Sequence, residues 1–266
     1  MTMDAIPAIE VSDLACVYQD YRVLEGVSFS VRTAEIFFIV GGTGVGKTTL
    51  LRNMVGLETP AHGEVRFTGR AFTSADPAER RDMLKTFGLS FQGGALWTSL
   101  TLRENIALPL EEYTRLPRDE IGRIAAFRLS QVGLAGFEDY YPSEISGGMK
   151  KRAGLARALA LDPTIVFFDE PSAGLDPVTA RNLDRLILQI RDTFGTTIVI
   201  VSHDVDSILG IADRLIMLDV ETKGIIADGA PAALVAGPPN PKVLEFLTRR
   251  TVRSGYTHPK EPGAQR

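Results

Sequence analysis

Gly41-Gly42-Thr43-Gly44-Val45-Gly46-Lys47-Thr48, followed at once by Thr49-Leu50-Leu51, is the stretch that decides the fold. Its spacing, a glycine, four residues, then Gly-Lys-Thr, is that of a phosphate-binding P-loop. The flanks supply the context the motif needs. Ile36 to Val40 reads as a buried strand before it, and Leu50, Leu51, Met54 and Val55 carry a helical pattern after it. Four glycines let the backbone turn back with its N–H groups inward, so a triphosphate meets a ring of donors at a helix N-terminus. Lys47 would reach the β and γ phosphates, and Thr48 would hold Mg²⁺.

The bulk numbers agree with a nucleotide-binding globule. With 266 residues, 44% of them hydrophobic, the chain can bury a sizeable core in one large domain or two closely packed subdomains. A formal net charge of −4 and a pI near 5.5 argue against nucleic acid as a partner, although Arg115 to Arg128 could form a local basic patch. A single cysteine, Cys16, excludes a disulfide framework and fits a reducing cytoplasm. Met1 to Pro7 lacks the basic and apolar regions of a signal peptide, and no apolar run approaches the roughly 18 to 20 residues that cross a bilayer. Service to a membrane would therefore need another chain to span it.

Outward from the P-loop, the pattern predicts an α/β fold. Ile9, Val11, Leu14 and Val17, then Val23 and Leu24, then Val27, Phe29 and Val31 read as short antiparallel strands. Tyr18 lies there, 23 residues before Gly41, either to stack on a nucleotide base or as an ordinary strand tyrosine. Gly63 to Gly69 and Phe87 to Phe91 look like strands flanking an exposed helix over Asp76 to Lys85. A helical region follows over about residues 100 to 160, with Leu116 to Glu120 as a start signal and Ile121, Ile124, Ala125 and Leu129 on one face. Strand patterns return at Ile165 to Phe168, Ile198 to Val201, Leu215 to Leu218 and Gly224 to Ala227, predicting a largely parallel sheet with a helical insertion. After the breaker cluster Gly237 to Pro241, Val243, Leu244, Phe246 and Leu247 form a short amphipathic helix. The face carrying Val243, Phe246 and Leu247 is expected to pack across a subunit boundary. The polar tail from Ser254 to Arg266 either docks on a partner or frays.

Two further stretches carry chemistry. Thr164 to Phe168 is an apolar run ending in Asp169-Glu170, as for a central strand delivering two carboxylates to its C-terminal edge. Beside a P-loop, Asp169 is the natural Mg²⁺ partner, directly or through a bound water, and Glu170 can polarise or deprotonate the attacking water. The helix beginning Ser146-Gly147-Gly148-Met149 carries Lys150, Lys151 and Arg152 in its first turns, where the helix end is already positive. A triphosphate at the Ser146 hydroxyl and the N–H groups of Gly147 and Gly148 would compensate them; otherwise the cations reach into water.

Taken in order, the P-loop, Gln92 after a strand, Ser-Gly-Gly-Met, Asp169-Glu170, Ser172-Ala173-Gly174-Leu175-Asp176 and Val201-Ser202-His203-Asp204 resemble the nucleotide-binding subunit of an ABC transporter. The resemblance covers about residues 8 to 236, with a helical subdomain at about 95 to 160 and an extension over 237 to 266. It implies a P-loop NTPase of ABC type, with an antiparallel β-subdomain and an inserted helical one. It also implies ATP and Mg²⁺ as cofactors, and sites formed between two head-to-tail copies. Gly41 to Thr49, with Ser146, Gly147 and Gly148 of the second copy, would bind nucleotide. Tyr18 would stack on adenine. Gln92 would sense Mg²⁺ alongside Thr48 and Asp169 and couple to the membrane partner, Asp176 would bridge the two sites, and His203 would contact the γ-phosphate. Departures are Met149 where the family usually has Gln, Ile145 for Leu, and Ala34 for Gly. None removes a group that touches phosphate.

More finely, Phe91-Gln92-Gly93-Gly94-Ala95-Leu96-Trp97 and Ser99 to Leu110, with Ser-Gly-Gly-Met-Lys-Lys-Arg, look like the ATPases of MCE-associated lipid transport, including the Mla phospholipid systems. That likeness implies a polytopic permease, an MCE-type lipid-binding protein across the membrane, in some systems a small regulatory subunit, and a place on the cytoplasmic face of the inner membrane. Trp97, with Ala95, Leu96 and Leu100, would form a groove for a permease helix or else pack the helical subdomain. A non-transport ABC ATPase acting as a mechanical or scaffold partner of a membrane complex is the alternative. A DNA-repair relative is disfavoured, because only 99 residues separate Lys47 from Ser146, too few for a long coiled-coil insertion.

Overall fold

A computed structural model describes residues 6–18, 21–237 and 240–248. The readings for Met1 to Ala5, for the tail from Ser254 and for Pro238-Pro239 lie outside those residues. Two sheets organise the chain. The first is antiparallel, with strands in the order β2 (Tyr21–Val31), β1 (Ile9–Tyr18), β4 (His62–Phe67), β5 (Arg70–Ala71). The segments expected at Val23-Leu24 and Val27 to Val31 are one strand, β2, whose pairing with β1 shifts register between Val11 and Leu14 and again near Cys16.

The second sheet has the order β10-β9-β3-β8-β7-β6. Here β3 is Ile36–Gly41, β6 Phe87–Ser90, β7 Ile165–Asp169, β8 Thr197–Val201, β9 Arg214–Asp219 and β10 Gly224–Gly229. All neighbours pair parallel except β10, which returns antiparallel on β9. Both faces of the parallel strands are covered, so alternate residues serve two different cores. Ile36, Phe38, Val40, Val166, Phe168, Ile198 and Ile200 join the core under the helical insertion. Phe37, Ile39, Ile165, Phe167, Val199 and Val201 face helix α1 (Lys47–Met54) and the antiparallel sheet. Phe67, Phe72, Phe87 and Phe167 close that second core with ring centroids 5.0 to 6.2 Å apart. Cys16 is buried in it, and burial pushes the thiol up to about 12, so it stays a protonated, unreactive hydrophobe.

Helix α2 (Pro77–Leu84) starts on an Asp76 cap, as its sequence suggests. The insertion consists of α3 (Leu102–Tyr113), α4 (Arg118–Gln131) and α5 (Gly147–Ala158). Ile121, Ala125 and Leu129 are the buried face of α4, and Thr101 with Glu104 forms a capping box that sets the start of α3. Helix α5 lies against β6 so closely that a side chain at Gly88 would meet the Ala158 carbonyl at 2.0 Å. Helices α6 (Pro177–Phe194), α7 (Val205–Ile211) and α8 (Pro231–Ala236) complete the layer on the same side, with α9 (Pro241–Thr248) against α7 and α8.

The amphipathic face of α9 corrects one expectation. Val243 and Leu247 are buried in this chain's own core, and Phe246 packs against it, so this face does not cross a subunit boundary. Lys242 clasps Asp219 at 2.8 Å and Glu221 at 2.7 Å, tying α9 to the turn after β9.

Candidate functional site

The chemistry collects at the C-terminal edge of the parallel sheet, where an open α/β sheet binds its ligands. Ile39 is level with Val201 on β8, Asp169 with the same Val201 from the other side, and Gly41 with Leu218 on β9. Ser90 pairs with Phe168, so Gln92, two residues on, leaves β6 beside Asp169 and Glu170. Gly41 has φ 147°, and a side chain there would meet the Leu218 carbonyl at 2.7 Å. Only glycine lets the loop turn this close to β9. The hairpin of β1 and β2 comes down on the loop's other end, where Val23 and Leu24 cover Gly46.

Lys47 is buried and donates to the carbonyls of Gly41 at 2.9 Å and Gly42 at 3.0 Å. Burial lowers its pKa, and the charges of Glu170 and Asp169 oppose that shift. The Thr48 hydroxyl donates to Asp169 Oδ1 at 3.1 Å. Burial raises the Asp169 pKa; the Thr48 hydrogen bond opposes the rise and Glu170 adds to it. Glu170 stands at φ 51°, a conformation that costs a non-glycine residue about 1 to 3 kcal/mol, and its N–H is held by the Val201 carbonyl at 2.8 Å. Its Oε1 lies 2.8 Å from His203 Nδ1, while Oε2 is buried with no partner. That buried oxygen keeps its acceptor capacity to spare.

These residues fit Mg²⁺ and a triphosphate. Thr48 and Asp169 are hard oxygen donors, and the described residues contain no cluster of three or more His, Cys, Asp or Glu side chains able to cage a metal. Mg²⁺ is held in just this way, by one or two protein oxygens and the substrate's phosphates. Side chains at Gly42 and Gly44 would meet nothing within 4 Å, so the loop has open space beside both glycines.

The sequence profile of ABC transporters matches residues 24–173. The chain belongs to the ABC transporter family. MlaF of Escherichia coli K12, the ATP-binding protein of an intermembrane phospholipid transport system, is 39% identical over 239 residues, 90% of this chain and 88% of that protein. The Mycobacterium leprae protein named probable ribonucleotide transport ATP-binding protein mkl is 38% identical over 92% of this chain and 70% of its own length. Among solved structures, the ATP-binding cassette MJ0796, a dimer bound to ADP and Pi, superposes with a TM-score of 0.76 at 26% identity, covering 84% of this chain and 98% of that one. CbiO1 of Clostridium perfringens, part of the cbiONQ transporter complex, gives 0.78 at 27% identity, covering 86% and 91%. This ABC ATPase binds ATP with Mg²⁺ and hydrolyses it, and ATPases of the family partner as dimers with membrane permease components. No helix among the described residues is long and apolar enough to cross a membrane.

Within one chain of this ABC ATPase, the structure brings together Lys47, Thr48, Asp169, Glu170 and His203. Gln92 is exposed beside them, and Tyr18, 53% exposed, stands at the end of β1 next to Tyr21. Ser146 and Gly147 are exposed on the insertion, and among the described residues no hydrogen bond joins the Ser146-Gly147-Gly148 turn to this chain's P-loop. Ser146 Oγ caps α5 by accepting from Met149 N–H at 3.3 Å. Asp176 caps α6 through Val178 and Thr179, and the Thr179 hydroxyl holds its pKa down.

The cations of α5 are balanced differently from the sequence argument. Lys151 donates to the carbonyls of the loop after Glu170, and Arg152 to those of Val132 and Gly133 at the C-terminal end of α4, at 3.1 and 3.2 Å. Within this chain, carbonyl dipoles engage both.

Asp184, on α6, escaped the sequence reading. The Ser207 hydroxyl on α7 lies 2.9 Å from both of its oxygens, one turn past His203, and Asp204 and Asp206 stand nearby. Burial first, then those two charges, raise its pKa to about 6 against the Ser207 bond. A carboxyl raised in the folded state favours folding only when protonated. Its contribution is full below its ordinary value of 3.8 and is lost as pH rises through about 6. Asp184→Asn, which still accepts from Ser207, is therefore expected to raise Tm at pH 7.5. After allowance for solvent screening the gain is about 1 to 2 kcal/mol, or about 3 to 6 °C. Scanning calorimetry should show the gain shrinking toward zero at pH 4; an equal gain at both pH values would assign it to packing.

Proposed function

We propose that two copies of this chain close head-to-tail over ATP and drive a permease that moves phospholipid. The supporting observation is a divided constellation. Lys47, Thr48, Asp169, Glu170 and His203 share one strand edge, while the Ser146 turn stands exposed and, among the described residues, no hydrogen bond joins it to this chain's P-loop. In this reading the turn faces the P-loop of the second copy, and its N–H groups meet the γ-phosphate there. Lys47 holds the β and γ phosphates. Thr48, Asp169 and Gln92 would hold Mg²⁺, which when bound neutralises charge on those phosphates. Glu170 Oε2 accepts a hydrogen bond from the attacking water and takes its proton as the oxygen bonds to phosphorus and ADP departs. His203 fixes the other carboxylate oxygen, so Oε2 is the one free for water. Tyr18 stacks on adenine, and Asp176 lies at the border between the two sites.

The permease would dock near Trp97. This residue is 63% exposed, on the rim of a cavity of about 290 Å³ lined with Leu84, Phe87, Leu108, Pro109 and Tyr113. An exposed aromatic on the rim of a groove that mixes apolar side chains with Arg157 suits an amphipathic helix from the partner. The likeness to MlaF supports phospholipid as substrate, an MCE-type lipid-binding partner, in some systems a small regulatory subunit, and a peripheral position on the cytoplasmic face of the inner membrane. The name of the mycobacterial relative supports a second reading, ribonucleotide.

Reconstitution tests these readings. The chain, purified with its adhering membrane proteins, is placed in vesicles carrying fluorescent phospholipid and supplied with ATP. ATP-dependent lipid movement, absent with Glu170→Gln, is expected. ATP turnover with no movement of lipid or ribonucleotide would favour the scaffold role instead, and movement of ribonucleotide alone would overturn the lipid reading.

A further inference from the structure

Helix α5 does more than present Ser146. One turn past the cap, Lys151 Nζ donates to the Pro171 carbonyl at 2.9 Å and to that of Ala173, and lies 3.4 Å from that of Glu170. Its three N–H donors are thus all taken by the loop that carries Glu170. Burial lowers the pKa of this ammonium, and the Glu170 charge opposes the shift. Gly148 lies against the next part of that segment, for a side chain there would meet Thr179 at 3.2 Å and Leu175 at 3.6 Å. Further along the helix, Arg157 donates to the carbonyls of Ala95 at 2.8 Å and Gly94 at 3.0 Å, in the turn that follows Gln92. One helix therefore grips both loops that leave the sheet beside this chain's own P-loop, while its N-terminus offers the Ser146 turn.

We propose that Lys151 is a positioning residue that couples the two nucleotide sites through each chain, linking the backbone of Glu170 to the Ser146 turn. The inference rests on the head-to-tail reading above. There, Glu170 serves the nucleotide on its own P-loop, and the Ser146 turn serves the nucleotide on the other copy. Lys151 touches neither nucleotide. A shift of the 170–173 backbone moves three acceptors of one ammonium, and the ammonium is carried on α5 by a half-buried side chain. Lysine suits the place because its donors radiate from a point, whereas methionine matches its length and leaves three carbonyls without that donor.

The test uses full-length Lys151→Met and Lys151→Arg. Binding of a fluorescent ADP reports the P-loop half alone, and steady-state ATP hydrolysis reports kcat and the Hill coefficient. Lys151→Met is expected to keep ADP affinity within about twofold, to lower kcat about tenfold and to bring the Hill coefficient from about 2 to about 1. Lys151→Arg, which restores donors, is expected to recover cooperativity. If Lys151→Met does not fold, Lys151→Gln takes its place with the same readouts. A variant that loses ADP affinity in step with kcat, or keeps the wild-type Hill coefficient, overturns the proposal. ATP-driven dimerisation of Glu170→Gln, followed by light scattering, separates the two ideas. If that dimer never forms, the head-to-tail reading fails. If it forms while Lys151→Met stays cooperative, the coupling alone fails.

Discussion

Glu170→Gln is expected to bind Mg·ATP as tightly as the wild type, to accumulate as an ATP-bound dimer and to turn over about 10² to 10⁴ times more slowly. The substitution is close to isosteric, so the side chain keeps its volume in a site where Glu170 is only 13% exposed. His203 Nδ1 can still bond the amide, because imidazole and amide each offer a donor and an acceptor. What is lost is the second carboxylate oxygen. In the wild type Oε2 is buried without a partner and is free to accept a proton; an amide NH₂ there is a donor and repels the water's hydrogens. In the proposed site, binding would rest on Lys47 and the glycine loop and would not depend on that oxygen. The effect should therefore fall on kcat with little change in KM, which marks a group acting in the transition state. Single-turnover hydrolysis and light scattering with ATP check both halves. A rate within a few-fold of wild type would remove Glu170 from the role of base.

What could be read in advance divides by how local the cause is. Gly41 to Thr48 and Ile165 to Glu170 announce themselves because strand, turn and chemistry are adjacent in sequence, and both lie on the strand edge where they were expected. The order of the strands was not legible. That β4 returns to pair with β1 after the P-loop helix depends on which surfaces need covering, and no local signal states it. The amphipathic pattern of α9 says that something covers Val243 and Leu247 but not which chain supplies it; α7, α8 and the core of the same chain do. Lys151 shows the same limit. Three cations at a positive helix end do require compensation, but a dipole argument cannot tell a phosphate from the carbonyls of a loop about twenty residues away in sequence. Asp184 leaves no trace in the sequence at all, since its pKa is set by burial and by residues on the following helix.

Lys47→Ala should separate nucleotide binding from folding. The two charge-assisted contacts to phosphate proposed for Lys47, each worth about 1.5 to 3 kcal/mol before compensation, would disappear, so ATP affinity is expected to fall about 10- to 100-fold. The apo fold should hold. Lys47 has a lowered pKa in the folded state, so its charge at neutral pH already costs stability through desolvation. Removing it relieves that cost against the loss of its bonds to the Gly41 and Gly42 carbonyls. Ligand linkage turns this into a thermal measurement. At ATP about 100-fold above Kd the wild type gains about 2.7 kcal/mol, some 5 to 10 °C in Tm. With Kd raised about 100-fold, the same ATP concentration yields about 0.4 kcal/mol, little more than about 1 °C. Melting both proteins with and without Mg·ATP therefore gives a sharp contrast: equal Tm values alone, and a large rise only for the wild type. An ATP-induced rise in Lys47→Ala as large as in the wild type would place the phosphate chain somewhere other than the glycine loop, and the carboxylate pair at Asp169 and Glu170 would lose its reason to be there.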